Sequence, residues 1–200
     1  MSKSVIFNAD DFGASPGVNG GIVEAHVETV VTSTSLMATG AAAREPGALA
    51  ARHPALSVGL RWVGEARLPE LDTGDERAVA GKLECQLKLF GELGGHAPAR
   101  LDSHHHLHRE EHLLPAFGAA GEWLRVPLGG DGPGLLRDEV LQRWTEIICH
   151  LGFVGEGLDT VYWYERELEF HTLTDPRLGK ALDDLDIALR SYRAWAEATG

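Results

Sequence analysis

Short apolar runs alternate with longer amphipathic stretches along most of this 200-residue chain. That alternation selects βα units around a parallel sheet, because each crossover helix returns the chain to begin the next strand in the same direction. "SVIFNAD" reads as the first strand. "GVNGGIVEAHVETV" reads as its helix, with Val18, Ile22, Ala25 and Val30 at roughly helical spacing. "STSLMA" and "LSVGLRWVG" are the next two strands, separated by the short helix "REPGALAARH". "DERAVAGKLECQLKLFGEL" carries the clearest apolar stripe: Val79, Leu83, Leu87 and Phe90. "ARLDSHHHLH" is strand-like and runs into histidines; "EEHLLPAFGAAG" is helical and "EWLRVPL" a further strand. After the loop "LGGDGPG" come the helix "RDEVLQRW", the strands "EIICH" and "DTVYWY", the helix "DPRLGKALDDL" and the strand "DIALRSY". The predicted class is α/β in a single domain over residues 1–200, whose roughly seven units sit at the lower edge of barrel size.

The net charge of −12 argues against a broad nucleic-acid or anionic-membrane surface, since both need a concentrated positive field. A neutral or cationic small molecule suits the chain better. Val5-Ile6-Phe7 is too short for the apolar core of a signal peptide, and no run approaches the roughly 18 apolar residues of a membrane span. Cys85 and Cys149 form no paired-thiol motif, so a cytoplasmic protein with reduced thiols is expected.

Polar residues gather at predicted strand ends: Asp10 and Asp11 after the first strand, Arg61 after "VGL", His104 after "RLDS", and His150 at the end of "EIIC". In α/β sheets and barrels the chemistry sits at the carboxyl ends of the strands, where the loops converge on one rim. Taken singly, adjacent aspartates serve as turn formers and caps. That duty does not account for both carboxylates. On a strand, His104, His106 and His108 share one face, and neutral imidazole is a common metal ligand. Cys149 reads as a small buried hydrophobe. Of the five tryptophans, Trp62 and Trp163 lie near strand ends, where a flat face could meet a sugar ring, although core packing is the commoner role.

"NADDFG", "GVNGGIVEA", "VTSTSLMATG", "PALSVGL", "RLDSHHHLH", "EIICHLGF" and "RELEFHTLTDPRL…ALRSYR" resemble, in order, the motifs of the YdjC-like carbohydrate deacetylases, which include chitooligosaccharide deacetylases. The resemblance implies a distorted, small (β/α) barrel with a mainly parallel sheet, a divalent metal ion such as magnesium or zinc, and removal of an acetyl group from an N-acetylated amino sugar. It also implies a homodimer. Carried over by position, Asp11 and His104 are the expected metal ligands, Asp10 the general base and His150 the general acid. The metal would polarise the acetyl carbonyl, Asp10 would take a proton from the attacking water, and His150 would protonate the amine.

One position departs from this pattern. Where the family reads "GLH", supplying a second metal histidine, this chain reads "GLR". Arg61 has no lone pair for a cation. A guanidinium roughly 6 Å from a divalent ion, at a dielectric of about 20, costs on the order of 5 kcal/mol. Three outcomes are open. Arg61 swings away and water or His106 completes the coordination; Arg61 pairs with Asp11 and replaces the metal's charge; or catalysis is lost and a sugar-binding relative remains. Metal binding is thus expected to be weakened or absent, and Arg61 and His106 are assigned to the substrate side of the site. Leu151 also stands where proline is usual, and the chain is short around 127–145. A metallophosphoesterase would use similar ligands but needs a basic cluster, of which Arg61 alone is tied to the site motifs.

Overall fold

The computed structural model describes residues 3–64, 75–129, 144–153, 155 and 162–199. Strand β1 (Lys3–Phe12) is followed by α1 (Pro16–Glu28), β2 (Val31–Leu36), α2 (Arg44–Arg52), β3 (Ser57–Trp62) and α3 (Glu76–Gly94). A short β4 (Leu101–Ser103) runs into a 3-10 helix (His104–Arg109) and then α4 (Leu114–Leu124). Beyond these lie β5 (Trp144–Cys149), α5 (Trp163–Leu173), α6 (Pro176–Asp184), β6 (Ile187–Leu189) and α7 (Tyr192–Thr199).

The described strands form one sheet in the order β4-β3-β2-β1-β5, with β6 pairing against Lys3–Val5 of β1, and every named pairing is parallel. The sheet curls into a half-barrel. Arg100, just before β4, forms an ion pair with Glu146 on β5, so residues from opposite ends of the strand order meet across the interior. The α/β class and curled parallel sheet expected from the sequence are therefore present.

Local chemistry sets the boundaries. Residues 5–12 are buried without alternation, as a central parallel strand requires when both faces are covered. Ser15 accepts a hydrogen bond from the Val18 N–H at 3.2 Å, and Pro16 opens α1 where no backbone donor is needed. Asp75 accepts from the N–H groups of Arg77 and Ala78, and Gly95, at φ 70°, closes α3 in the left-handed conformation that glycine tolerates best. On β3 the side chains divide cleanly. Val58, Leu60 and Trp62 face the helices, where Trp62 meets Phe117 of α4 edge to face, while Gly59 and Arg61 face the barrel interior.

Four sequence expectations are corrected. The strand through "ARLDSHHHLH" stops at Ser103, and His105 and His106 turn into left-handed backbone at φ 56° and 55°. The alternation that put His104, His106 and His108 on one face therefore does not hold. Glu122, Trp123 and Leu124 of "EWLRVPL" close α4, and from that stretch only Leu128 pairs, in an isolated bridge to Leu101. Trp163 and Tyr164 begin α5 rather than ending a strand, and the strand in "DIALRSY" ends at Leu189, before Tyr192 opens α7. The helix expected at 137–143 and residues 159–161 of "DTVYWY" lie outside the described residues. No helix among the described residues is long and apolar enough to cross a membrane.

Candidate active site at the strand carboxyl ends

Neighbouring residues on a regular strand point to opposite faces, so Asp10 and Asp11 should not reach one partner. The end of β1 is not regular. Ala9 pairs with Thr34 and Phe12 with Leu36, which leaves one extra residue in β1, and Asp11 takes φ 69°. This bulge breaks the alternation and turns both carboxylates inward. Asp10 is fixed further by Asn8, whose Nδ2 donates to its Oδ1 at 2.8 Å and also to Ser35 Oγ at 3.1 Å.

The partner they share is Arg61. Its Nη1 donates to Asp10 Oδ2, its Nε lies 3.1 Å from Asp11 Oδ1, and Nη1 also reaches Asp102 Oδ2 of β4 at 3.3 Å. The Arg61 side chain is 3% exposed. Two more arginines, neither singled out by sequence, complete the network. Arg166 of α5 donates to Asp11 Oδ2 at 2.6 Å. Arg100 donates to Asp102 at 2.5 Å and to Glu146, with its guanidinium stacked 4.7 Å from the Tyr192 ring centre. Arg100 fits because Gly59 and Gly129 lie against it: a Cβ on Gly59 would come within 2.3 Å of Arg100 Cγ. Three arginines thus gather where one was expected. Each is held by carboxylates rather than left open as a phosphate clamp.

Burial sets the protonation of these groups against their partners. Burial pushes the Asp11 carboxyl up, but Arg61 and the hydrogen-bonded Arg166 prevail and hold it below the usual carboxylate range. Asp10 goes the other way. Burial and the Asp102 carboxylate, opposed by Arg61 and Arg100, push it up to about 8. Burial opposes the Arg61 charge, yet Asp10, Asp102 and Asp11 together raise its pKa.

His150 stands where β5 ends, its Nε2 3.7 Å from Asp10 Oδ2 and its backbone N–H donating to Glu169 of α5 at 2.6 Å. Asp10 has no exposed surface, whereas the His150 side chain is 42% exposed. Burial lowers the imidazole pKa, with Asp11 pulling it back and Arg61 lowering it again, so the ring is neutral at pH 7. This geometry gives His150 the contact with solvent and places Asp10 behind it.

His104 reaches the same cluster, with Nδ1 3.4 Å from Arg61 Nη2 and 3.7 Å from Asp11 Oδ1. His106 is half-buried beside it, its pKa lowered by burial and by Arg61. His108 serves structure: Ser103 Oγ accepts from its backbone N–H, and its ring bridges Ser103 Oγ and the Gly129 carbonyl. Cys149 is buried, its thiol donates to the Asn8 carbonyl at 3.2 Å, and burial raises its pKa well above the usual thiol value, which makes it a packing residue. Trp62 is fully buried and so cannot meet a ligand, while Trp163 is 54% exposed.

The expected metal ligands do not fit a divalent ion as they stand. Both oxygens of Asp11 already face guanidinium groups, and His104 Nδ1 lies closer to Arg61 than to Asp11. The Arg61 guanidinium occupies the space these ligands share. Among the described residues no group of three or more His, Cys, Asp or Glu side chains is arranged to hold a metal ion.

Comparison with known proteins gives a consistent picture. The YdjC-like protein family matches residues 4–130. A carbohydrate deacetylase of Geobacillus stearothermophilus is 29% identical over 240 residues, covering 96% of this chain and 98% of that protein. A carbohydrate deacetylase of Vibrio campbellii is 32% identical over 239 residues, covering 94% of each. A chitooligosaccharide deacetylase of Yersinia pestis is 30% identical over 251 residues, covering 96% and 97%. These spans exceed the chain's 200 residues, so the relatives carry internal segments that this chain lacks. Among solved structures, a protein of Enterococcus faecalis described as a candidate cellobiose-phosphate cleavage protein superposes with a TM-score of 0.84 at 23% identity, covering 98% of this chain and 99% of that one. The peptidoglycan deacetylase PdaC of Bacillus subtilis superposes with a TM-score of 0.56 at 11% identity, covering 98% and 91%. At these identities the two structures speak for the fold alone.

Proposed function

We infer the function from two premises: the chain belongs to the YdjC-like protein family, and its own strand ends join a solvent-facing imidazole to a buried carboxyl. The protein is a carbohydrate deacetylase, an amide hydrolase that removes the acetyl group from an N-acetylated amino sugar or oligosaccharide. The observation that carries the reading is the Asp10–His150 pair at the barrel rim.

In this arrangement the roles implied by resemblance divide differently. His150, neutral at pH 7 and open to solvent, accepts a proton from water as the water oxygen bonds to the acetyl carbon. Arg61 and Arg166 flank Asp11 behind this rim, and their guanidinium charges favour the negative charge that develops on the acetyl oxygen. The same imidazole then returns the proton to the nitrogen as the C–N bond breaks, leaving acetate and a free amine. Asp10 acts through His150 as a positioning residue. Its carboxyl, held by Asn8 and Arg61, lies 3.7 Å behind the ring nitrogen and keeps the imidazole in place at the rim.

Trp163, three residues before Arg166 on α5, offers an exposed aromatic face one helical turn from the site. Such a face suits the apolar side of a sugar ring. No positive surface for nucleic acid is required by this function, and a homodimer remains the form the resemblance implies. The test is acetate release from N,N'-diacetylchitobiose. Turnover by the native protein and its loss in His150→Ala, with circular dichroism unchanged, is the expected result. Unchanged turnover in the variant removes His150 from the mechanism.

A further inference from the structure

We propose that the Arg61 guanidinium is the resident cation of this site and that the protein binds no divalent ion there. The proposal rests on the deacetylase reading only for what the site does, not for what it contains.

Three carboxylates converge on this guanidinium from two strands: Asp10 and Asp11 from β1, and Asp102 from β4. Left without a counter-charge, such a buried cluster would have to take up protons or a cation. Arg61 meets that need from within the chain. Its position on β3 is fixed by the strand, with Leu60 and Trp62 buried on the opposite face, so the side chain enters the interior at the level of the bulge. Almost no side-chain surface is open to solvent.

The neighbours are arranged for a guanidinium rather than for a metal. Asp11 accepts from Arg166 at Oδ2, 2.6 Å away, and turns Oδ1 toward the Arg61 charge, 3.1 Å from Nε. His104 faces the cluster with Nδ1 nearer to Arg61 Nη2 than to Asp11 Oδ1, so its ring nitrogen is placed to accept from the guanidinium. Arg100 serves Asp102 separately, which leaves Arg61 as the charge common to both β1 carboxylates. A divalent ion entering here would have to displace a guanidinium, a group that stays charged in proteins.

The experiment measures metal content directly. Tag-free protein is incubated separately with zinc, nickel and manganese salts, desalted and analysed for metal per chain, with melting temperature recorded beside it. The expected result for the native chain is far less than one ion per chain and no shift in melting temperature. Arg61→His, which returns a neutral ligand beside Asp11 and His104, is expected to gain zinc close to one per chain with a raised melting temperature. Stoichiometric metal in the native chain overturns the proposal. A folded Arg61→His that takes up no zinc overturns the claim that the Arg61 charge is what excludes it. The native measurement decides the matter even where the variant does not fold. Because these readouts need no turnover, a failure to release acetate would count against the deacetylase reading alone.

Discussion

Arg61 and Asp11 lie side by side in the barrel interior, Nε 3.1 Å from Oδ1, although their strands are separated by β2. The contact spans the sheet because the bulge at Asp10–Asp11 turns a residue inward that regular strand geometry would have sent outward. The site's electrostatics follow from that one contact and its two companions.

Removing the guanidinium should therefore unfold more than it disarms. Arg61→Met would leave Asp10, Asp11 and Asp102 buried with one counter-charge fewer, and breaking a buried ion pair from one side costs about 3–5 kcal/mol. Urea denaturation is expected to show a loss of this size at pH 7, with Arg61→Lys in between because it keeps the charge but not the planar fork. A Met variant as stable as the native chain would show that the three carboxylates do not depend on Arg61.

The pH dependence of turnover should report the environment of His150. The ring must be neutral to accept a proton from water, so kcat/KM is lost as pH falls through its pKa. Burial holds that pKa below the ordinary 6.5, so the acid limb of the profile should lie below that value. Asp10, pushed up to about 8, is uncharged across that limb, so Asp10→Asn is expected to lower kcat with the acid limb unmoved. A kcat equal to the native value would separate the two residues.

Trp163→Ala should raise KM roughly tenfold, equivalent to ~1.4 kcal/mol, and leave kcat nearly unchanged. The ring is exposed one helical turn from Arg166 and takes no part in the buried network. Steady-state kinetics on acetylated oligosaccharides of increasing length would check this. A fall in kcat with KM intact would place Trp163 elsewhere in the account.

Gly59→Ala tests the packing beneath the site. The added Cβ would approach Arg100 Cγ to 2.3 Å and the Arg100 carbonyl oxygen to 2.9 Å, and the second of these is backbone. Such overpacking costs about 1–3 kcal/mol. Thermal denaturation should show the loss, and a native-like melting temperature would mean that Arg100 repacks freely.

Much of the frame was legible because its signals are local. The stripe of Val79, Leu83 and Phe90 became the buried face of α3, and "SVIFNAD" marked the first strand, which lies buried within the sheet. The residues at the strand ends, Asp10, Asp11, Arg61, His104 and His150, do come together. What stayed hidden depends on partners far apart in sequence or on backbone that breaks its own period. Arg166 opens the "RELEFHTLTDPRL" stretch, but its role shows only through Asp11, 155 residues away. Arg100 could have been noticed as a charge just before the buried strand that carries Asp102, since such a charge needs a partner. The left-handed turn at His105 and His106 overrode the strand alternation that had grouped three histidines on one face.

The most direct test is acetate release from N,N'-diacetylchitobiose by chelator-stripped protein, assayed with EDTA present and again after a divalent metal is added back. The account predicts turnover that neither EDTA nor added metal changes, with Arg61 supplying the site's fixed positive charge. Turnover that vanishes with EDTA and returns only with the metal would contradict it.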